Sequence, residues 1–344
     1  MLGIVIHAPR DLRIEPVAAT PPGAGEVQVR IEAGGICGSD LHYYHHGGFG
    51  AVRVKQPMVL GHEIAGAITA VGAGVDHLRP GTRVAVNPSR ACGSCRYCRE
   101  GAPRHCLDML FFGSAMRYPH VQGGFRQSLN ARADQAIPIP DRMTMAEAAM
   151  AEPLAVCLHA VRRAGPLLGR KVLVTGCGPI GILTIMAARL AGASEIVATD
   201  LSPYPLRFAE RAGAASALDL LATPDALKAY EGDKGAFDVL FEASGSGAAL
   251  TGAFGALRPG GIIVQIGNGS EVTLPMSVLV AKEFQLRGTF RFDQEFALAV
   301  EVMGAGRLDV KPLITETLPM TRADAAFQLA SDRQRAMKVQ LSFA

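Results

Sequence analysis

Residues 171–181 read Lys-Val-Leu-Val-Thr-Gly-Cys-Gly-Pro-Ile-Gly, and this stretch decides the fold of the second half of the chain. The short apolar run 171–175 predicts a buried strand. Glycines at 176, 178 and 181 follow it directly, and an apolar helical pattern follows them. A Gly-x-Gly-x-x-Gly loop between a strand and a helix is typical of a dinucleotide-binding turn, because glycine permits the tight turn, close approach of a pyrophosphate and close helix packing.

An acidic residue downstream supports this interpretation. Asp200 lies 19 residues after Gly181, at the end of the next predicted strand, 195–199. Its carboxylate would accept hydrogen bonds from a ribose 2′-hydroxyl and repel a 2′-phosphate, which predicts NAD as the cofactor, with NADP as an alternative that Arg207 could favour. Asp200 could instead cap the helix that follows it. The predicted cofactor-binding residues are Gly176, Gly178, Pro179, Ile180, Gly181, Asp200 and Arg207.

Strands and helices alternate around this loop, which predicts an α/β domain with a doubly wound parallel sheet. The predicted strands are 171–175, 195–199, 237–241 and 262–266, and the predicted helices include 152–164 and 205–212. Residues before about 150 alternate short strands with glycine and proline turns and predict a β-rich domain. We therefore expect domains at 1–152 and 153–290, and a return segment at 291–344 with helices at 294–304 and 321–332 and a strand at 338–343.

Composition narrows the class of protein. With 344 residues, 49% hydrophobic and 19% charged, the chain is long enough for two globular domains. A net charge of +3 indicates neither a nucleic-acid nor a membrane partner. The first residues lack the pattern of a secretion signal. Seven cysteines, four of them clustered, fit metal binding in a reducing compartment, so we expect a cytoplasmic protein.

The clustered cysteines have the spacing C-x2-C-x2-C-x7-C. Two-residue gaps let one loop place neighbouring thiolates around a tetrahedral zinc ion, and four thiolates leave no open position for chemistry. The alternative is a group of four free, buried cysteines. The predicted ligands of this structural zinc are Cys92, Cys95, Cys98 and Cys106.

A second group of potential ligands is dispersed along the chain. Cys37 and His62 offer a soft thiolate and an imidazole, the donor types that suit zinc. Glu63 could bind the ion directly or orient a ligand, and Glu152 lies near the predicted domain junction. A catalytic zinc keeps a position open for substrate. His62 alone would more often be a structural histidine, but its combination with Cys37 and Glu63 favours a metal site.

These motifs resemble the zinc-containing alcohol dehydrogenases of the medium-chain dehydrogenase/reductase family. The resemblance covers essentially the whole chain and includes the pattern Gly61-His62-Glu63-x2-Gly66-x5-Gly72-x2-Val75. The run 37–43 and Glu152-Pro153-Leu154 are similar to the polyol (sorbitol) dehydrogenase branch, in which a glutamate replaces one cysteine ligand. Residues 111–120 and 288–292 are similar to bacterial L-idonate 5-dehydrogenases.

The resemblance implies a GroES-like catalytic domain, a Rossmann domain and a cleft between them. It implies that Cys37, His62 and Glu63 hold zinc, and that Glu152 binds the ion or its water. By the same resemblance Ser39 and His42 form a proton relay, and substrate-pocket positions fall on Tyr43, Phe112 and Arg291. Tyr204 departs from the family, where a basic residue often follows the ribose-binding acid.

The expected reaction is NAD-linked oxidation of a secondary hydroxyl of a polyol or sugar acid. Among these substrates, the resemblance favours L-idonate. For an aldonate, the cationic candidates that would balance the carboxylate are Arg117, His120 and Arg291. Arg117 could equally be a solvated loop residue. The open alternatives are sorbitol, xylitol, butanediol or L-threonine as substrate, a zinc-free quinone or enoyl reductase, and a non-catalytic NAD-binding protein. The resemblance also implies a homo-oligomer, either a tetramer or a dimer.

Overall fold

The computed structural model describes residues 1–269 and 271–343. Ser270 in the predicted nucleotide-binding domain and Ala344 in the predicted return segment lie outside them. The strands are β1 (Leu2–Ala8), β2 (Asp11–Pro16), β3 (Glu26–Gly35), β4 (Gly48–Phe49), β5 (Val52–Arg53), β6 (Met58–Val59), β7 (Glu63–Val71), β8 (Arg83–Val86), β9 (Ser89–Arg90), β10 (Leu110–Phe111), β11 (Ser128–Arg132), β12 (Ala136–Pro138), β13 (Lys171–Thr175), β14 (Glu195–Asp200), β15 (Ser216–Asp219), β16 (Phe237–Glu242), β17 (Leu257–Gln265), β18 (Gln285–Gly288), β19 (Ile314–Pro319) and β20 (Lys338–Ser342).

The α-helices are α1 (Gly38–His46), α2 (Arg96–Arg99), α3 (Met145–Ala149), α4 (Ala151–Ala164), α5 (Pro179–Leu190), α6 (Pro203–Ala212), α7 (Gly247–Gly252), α8 (Met276–Ala281), α9 (Glu295–Gly304) and α10 (Ala323–Ser331). Short 3₁₀ helices lie at Pro103–His105, Ala133–Gln135, Ala226–Tyr230, Gly232–Lys234, Lys311–Leu313 and Met320–Arg322. Within the described ranges, no helix is both long and apolar enough to cross a lipid bilayer.

The chain forms two compact units. The first comprises Met1–Glu152, Phe296–Asp332 and the C-terminal segment that begins at Ala336, and the second comprises Pro153–Glu295 with Arg333–Arg335. The predicted boundaries lie after residues 152 and 290, whereas these units change over after Glu152 and Glu295. We keep the domain limits as a prediction.

The first unit is built on a mostly antiparallel sheet in the order β12-β8-β7-β3-β20-β19, with β11 also paired to β3. The core of this unit contains buried side chains such as Ile4, Ile31 and Phe125. The pairing of β3 with β7 sets Gly35 opposite Glu63. A side chain at residue 35 would collide with the Glu63 carboxylate, so a glycine there leaves room for this charged group beside the strand.

The second unit contains six parallel strands in the order β15-β14-β13-β16-β17-β18. The predicted doubly wound parallel sheet is confirmed. Strand β13 has the predicted bounds, and α4 starts one residue earlier than predicted. The chain moves outward from β13 to β14 and β15 and then returns to β16 on the other side of β13, so the direction of winding reverses between β13 and β16. Ligands of such sheets bind at this reversal, outside the carboxyl ends of the strands.

Candidate active site

The four clustered cysteines converge in the lobe that contains α2. Their sulfur atoms all lie within 4.8 Å of one another, and those of Cys95 and Cys98 are 3.5 Å apart. Four thiolates around zinc, each bound at about 2.3 Å, would be separated by about 3.8 Å. The donor set therefore fits a closed, tetrahedral zinc ion.

Backbone amides surround the sulfur atoms of this lobe. The Cys95 amide donates to Cys92 Sγ at 3.3 Å, and the Cys92 and Asp108 amides donate to Cys106 Sγ at 3.1 and 3.3 Å. Amide donors, with that of Ser94 foremost, lower the pKa of the Cys92 thiol to about 6. The loop itself thus stabilises the thiolate, which is the form that binds zinc.

The dispersed donor group also converges. Cys37 precedes α1, and His62 and Glu63 lie at the start of β7. Their donor atoms lie within 4.8 Å of one another, and His62 and Glu63 are buried. The His62 Nδ1 atom is buried, has no hydrogen-bond partner among the described residues and lies 3.8 Å from Asp40 Oδ1. Asp40, fully buried, is fixed by the amides of Cys37 and Gly61.

Several acidic side chains lie close together at this second donor group. Burial, and then the charge of Glu63, raises the pKa of the Cys37 thiol to about 12. Burial also raises the pKa of Glu152 to about 8, although His62 acts in the opposite direction. Acidic groups that resist ionisation in a buried site would gain from a divalent cation, because its charge favours their anionic forms. Cys37, His62 and Glu63, with Glu152 nearby, fit a zinc ion on these grounds.

One cation lies against this acidic group. Lys338 on β20 is buried, and its Nζ is 2.7 Å from Glu63 Oε1, 2.5 Å from Glu63 Oε2 and 3.0 Å from the Ile36 carbonyl oxygen. Burial lowers the pKa of Lys338, but the charges of Glu63 and Cys37 outweigh this effect and raise it overall. Glu63 is therefore held by a lysine on the same side of the sheet as the metal donors.

The predicted relay residues lie on α1. The Ser39 hydroxyl lies close enough to the Cys37 thiol to favour its thiolate form, which places Ser39 at the donor group. His42 is exposed, and its ring is 5.9 Å from that of Phe49 and 6.1 Å from that of His46. Tyr43 is buried, and its hydroxyl accepts a hydrogen bond from the Ala115 amide at 3.0 Å.

The remaining predicted pocket residues of the first unit lie in segment 111–120. Phe112 is half-buried, and its neighbour Phe111 packs against the His62 ring, 5.5 Å away. Arg117 is ion-paired with Asp108 at 2.6 Å. His120 accepts a hydrogen bond from the Lys55 amide at Nε2 and, with Nδ1 as the donor, bonds the Arg117 carbonyl oxygen. Both ring nitrogens of His120 are thus committed to backbone.

Arg291 belongs to the second unit. Its backbone has a φ of 52°, in the left-handed region, and its guanidinium lies 4.8 Å from the centre of the Phe290 ring. The side chain is thus stacked on its neighbour. Its role in substrate binding stays a prediction.

The glycine loop has the predicted local geometry. Gly176 adopts a φ of 85°, and a Cβ there would lie 2.7 Å from Ser244 Cα. A Cβ at Gly181 would collide with the Gly176 carbonyl oxygen, whereas a Cβ at Gly178 would meet no atom within 4 Å. Gly178 precedes α5, with Pro179 in its first turn and the Ile180 carbonyl inside the helix. Open space at a helix N-terminus fits a pyrophosphate.

Asp200 ends β14 beside this loop. Its Oδ2 accepts a hydrogen bond from the Cys177 amide at 2.7 Å, and its Oδ1 accepts from the Leu201 and Ser202 amides. Ser202, not Asp200, is the N-cap of α6. Arg207 is exposed on α6, with its guanidinium 5.4 Å from the Tyr204 ring centre.

Sequence reasoning missed three buried charged residues. Asp40 stands in the Cys-Gly-Ser-Asp run, three residues after Cys37, and this capping spacing could have drawn attention to it. Lys338 lies 275 residues from Glu63, and no local signal links the two. Glu242, buried at the end of β16, ends an apolar strand without any motif around it.

Known proteins share this architecture. Residues 23–141 match the alcohol dehydrogenase GroES-like domain, and residues 179–305 match the zinc-binding dehydrogenase domain. The chain is 42% identical to the L-idonate 5-dehydrogenase (NAD(P)(+)) of Escherichia coli K12 over 92% of this chain and 91% of that protein. It is 38% identical to human sorbitol dehydrogenase over 95% of this chain and 92% of that protein.

A solved structure agrees with these matches. The crystal structure of L-idonate 5-dehydrogenase from E. coli superposes with a TM-score of 0.94 at 39% identity and covers 99% of this chain and 98% of that one. The predicted family and enzyme class are confirmed. Two matched domains and full-length relatives lead to one conclusion: the chain belongs to the zinc-binding dehydrogenases of the alcohol and polyol dehydrogenase family.

Proposed function

We propose that this dehydrogenase oxidises a secondary hydroxyl of a sugar acid, converting L-idonate to 5-keto-D-gluconate with NAD as the hydride acceptor. The observation that carries the proposal is the donor group of Cys37, His62 and Glu63, whose donor atoms lie within 4.8 Å of one another. The name of the E. coli relative, 42% identical, supports L-idonate as the substrate.

Cys37, His62 and Glu63 would hold a catalytic zinc, and Glu152 would bind it directly or through water. When bound there, zinc lowers the pKa of a hydroxyl and stabilises the negative charge that develops on its oxygen. Asp40 lies on the Nδ1 side of His62, and Lys338 keeps Glu63 in place. We assign Cys92, Cys95, Cys98 and Cys106 to a structural zinc.

The proton of the substrate hydroxyl would leave through α1. Ser39 lies at the donor group and would accept this proton while it passes its own proton on. His42 is exposed on the same helix and would release the proton to water. The two residues thus connect a buried site with solvent.

The second unit would bind the dinucleotide. NAD(P) accepts a hydride at its nicotinamide ring when it is bound. Gly178 leaves space for the pyrophosphate at the start of α5, Gly176 and Gly181 allow the close packing of the turn, and Asp200 would accept a hydrogen bond from the adenosine ribose. We favour NAD because Asp200 would repel a 2′-phosphate, while exposed Arg207 and the NAD(P)-dependent name of the relative keep NADP as a second cofactor.

A carboxylate on the substrate needs a cation. Arg117 is the first choice in the first unit, because its bond to the largely exposed Asp108 is a weak surface pair that a substrate could replace. Arg291 is the corresponding choice in the second unit. His120 could contribute only by giving up one of its two backbone bonds.

The same observations favour a neutral polyol as the alternative substrate. If Arg117 stays with Asp108 and His120 keeps both backbone bonds, neither balances a carboxylate. The 38% identity to human sorbitol dehydrogenase supports sorbitol in that case.

The deciding experiment is an NADH absorbance assay on zinc-loaded protein. L-idonate, sorbitol, xylitol, 2,3-butanediol and L-threonine would each be tested with NAD and NADP. Preference for L-idonate supports the proposal and directs attention to Arg117 and Arg291. Preference for a neutral polyol refutes the carboxylate pocket. If Arg117→Ala leaves the ratio of the Michaelis constants for idonate and sorbitol unchanged, Arg117 has no role in substrate specificity.

We also propose a homo-oligomer, either a dimer or a tetramer. Strand β18 ends the parallel sheet, and no strand of the described ranges pairs with its outer edge. Large apolar side chains are exposed nearby, on α8 and β18: Met276, Val280 and Leu286. An unpaired edge with exposed apolar groups favours pairing with a second copy. Light scattering coupled to gel filtration would give the mass in solution, and a monomer would refute the proposal.

A further inference from the structure

Glu242 is a buried carboxylate that no catalytic assignment uses. It ends β16 and has no exposed surface. No lysine, arginine or histidine in the part of the chain that the structure describes forms an ion pair with it. An unpaired charge is costly to bury unless hydrogen bonds satisfy it, so its partners explain why it is tolerated.

The partners of Glu242 are hydrogen-bond donors from three adjacent strand ends. Oε1 accepts from the Ser244 amide at 2.8 Å, from the Ser244 hydroxyl and from Thr175 Oγ1 at 3.4 Å. Oε2 accepts from the Gly245 amide at 3.0 Å and from Gln265 Nε2 at 2.5 Å. Thr175, Glu242 and Gln265 are register neighbours on β13, β16 and β17. One side chain thus ties together three strand ends.

These bonds fix the segment 243–246 against two glycine turns. On one side, a Cβ at Gly176 would lie 2.7 Å from Ser244 Cα, and the Ala243 amide bonds the Thr175 carbonyl. On the other side, a Cβ at Gly267 would lie 2.7 Å from Glu242 Oε2 and would collide with the Gly245 amide nitrogen. The segment therefore has little room to move while Glu242 keeps its donors.

Segment 243–246 lies at the edge of the sheet where a dinucleotide is expected to bind. The sheet reverses its winding between β13 and β16, and a dinucleotide binds across this point. Asp200, the predicted ribose ligand, ends β14 on one side of β13, whereas Glu242 ends β16 on the other side. The half of the dinucleotide away from the adenosine would thus lie over the ends of β16 and β17.

We infer that Glu242 is a positioning residue for the cofactor: its carboxylate holds segment 243–246 so that the surface for the nicotinamide half of NAD(P) is formed before binding. This inference rests on the proposed NAD(P) binding. The adenosine half, recognised near Asp200, should not depend on Glu242.

A carboxylate suits this task better than an amide. Ionised, it accepts hydrogen bonds at both oxygens and has no hydrogen to place against a donor. In Glu242→Gln, the new amide group would face donors already directed at the carboxylate, either those of Ser244 or those of Gly245 and Gln265. The substitution keeps the size of the side chain, removes its negative charge and replaces one accepting oxygen with an N–H donor group.

The experiment compares equilibrium binding of NADH and of 5′-AMP to the zinc-loaded wild type, Glu242→Gln and the control Thr251→Ala. Thr251 bonds the Gly247 carbonyl within α7, outside the network. NADH fluorescence and calorimetry with AMP supply the readings. For Glu242→Gln we expect the dissociation constant of NADH to rise about 10- to 100-fold, the usual cost of leaving a buried donor unsatisfied, and that of AMP to stay within about twofold. The control should bind both ligands as the wild type does.

Each other outcome is decisive. Unchanged NADH binding in Glu242→Gln overturns the inference, and an equal loss for both ligands reduces Glu242 to a general structural role and also overturns it. If Glu242→Gln does not fold, Ser244→Ala offers a second test, because it removes one donor to Glu242. It should weaken NADH binding about threefold and leave AMP binding unchanged. Unchanged NADH binding in this variant would overturn the inference. A wild type that binds neither NADH nor NADPH would instead refute the proposed function itself.

Discussion

The two candidate metal-binding groups of the first unit are built in opposite ways. The four-cysteine group lies within residues 92–106, is partly exposed, and backbone amides stabilise the thiolate of Cys92. The Cys37 group draws its members from α1, β7 and α4 and has a buried lysine from β20 against it. A local group depends on the conformation of one loop, whereas a dispersed group depends on the whole sheet. We therefore expect damage to the first to reduce stability and damage to the second to reduce turnover.

The largest effect should come from Cys37→Ala. Loss of one zinc donor removes the polarising ion, which contributes several kcal/mol to transition-state stabilisation, so kcat/KM should fall on the order of 10³-fold. Metal analysis should find one zinc fewer per chain, with the melting temperature nearly unchanged. Cys157→Ala, at a buried cysteine outside both groups, serves as the control and should keep both zinc ions. Full zinc content in Cys37→Ala would contradict the assignment.

Lys338→Met should affect stability more than any surface change. It leaves the Glu63 carboxylate buried without its cation, which typically costs about 3–5 kcal/mol. Bound zinc would supply a replacement positive charge. The loss of unfolding free energy should therefore be larger in the presence of a chelator than in the presence of zinc. Denaturant unfolding under both conditions measures the difference. An equal loss in both would indicate that Glu63 does not contact the metal.

Breaking the four-cysteine group should give the opposite pattern. Cys95→Ala removes one of four thiolates from the lobe, and loss of a structural zinc removes folding free energy, here about 3 kcal/mol or a fall of roughly 5 °C in melting temperature. Turnover at low temperature should stay within about threefold of the wild type, since the lobe supplies no reacting group. A large loss of kcat at low temperature would contradict the prediction that the four-cysteine group affects stability but not turnover.

Ser39→Ala should give the smallest of these effects on free energy. Removing a positioned proton acceptor commonly slows turnover about 10²-fold, or about 2.7 kcal/mol. The zinc content should not change, which separates this variant from Cys37→Ala. Steady-state kinetics with metal analysis tests both points, and turnover equal to that of the wild type would remove Ser39 from the proton path.

The sequence predicts the local features of the structure better than it predicts contacts between distant residues. The strand Lys171–Thr175, the glycine turn after it and the four-cysteine spacing are local patterns, and the structure has each where the pattern predicts it. The long segment 88–125 around these cysteines holds only short elements such as α2. Local chain chemistry determines these features, so the sequence displays them directly.

Contacts between distant residues could not be predicted in this way. Lys338 reaches Glu63 because β20 pairs with β3 and β3 with β7, and no spacing in the sequence encodes that pairing. The bonds of Arg117 to Asp108 and of His120 to backbone likewise depend on how one loop folds back. The network of Glu242 is hidden for a similar reason, because two of its donors, Thr175 and Gln265, come from strands that are neighbours only in the sheet.

The amides around Cys92 have a practical consequence for anyone who handles the protein. With a pKa of about 6, this thiol is largely ionised at neutral pH whether or not zinc protects it. A thiolate is the form that alkylating agents and peroxides attack, and it lies in a partly exposed loop. Storage with a chelator should therefore convert a reversible loss of metal into permanent oxidation at this position, and a reducing agent with added zinc should extend the working life of the enzyme.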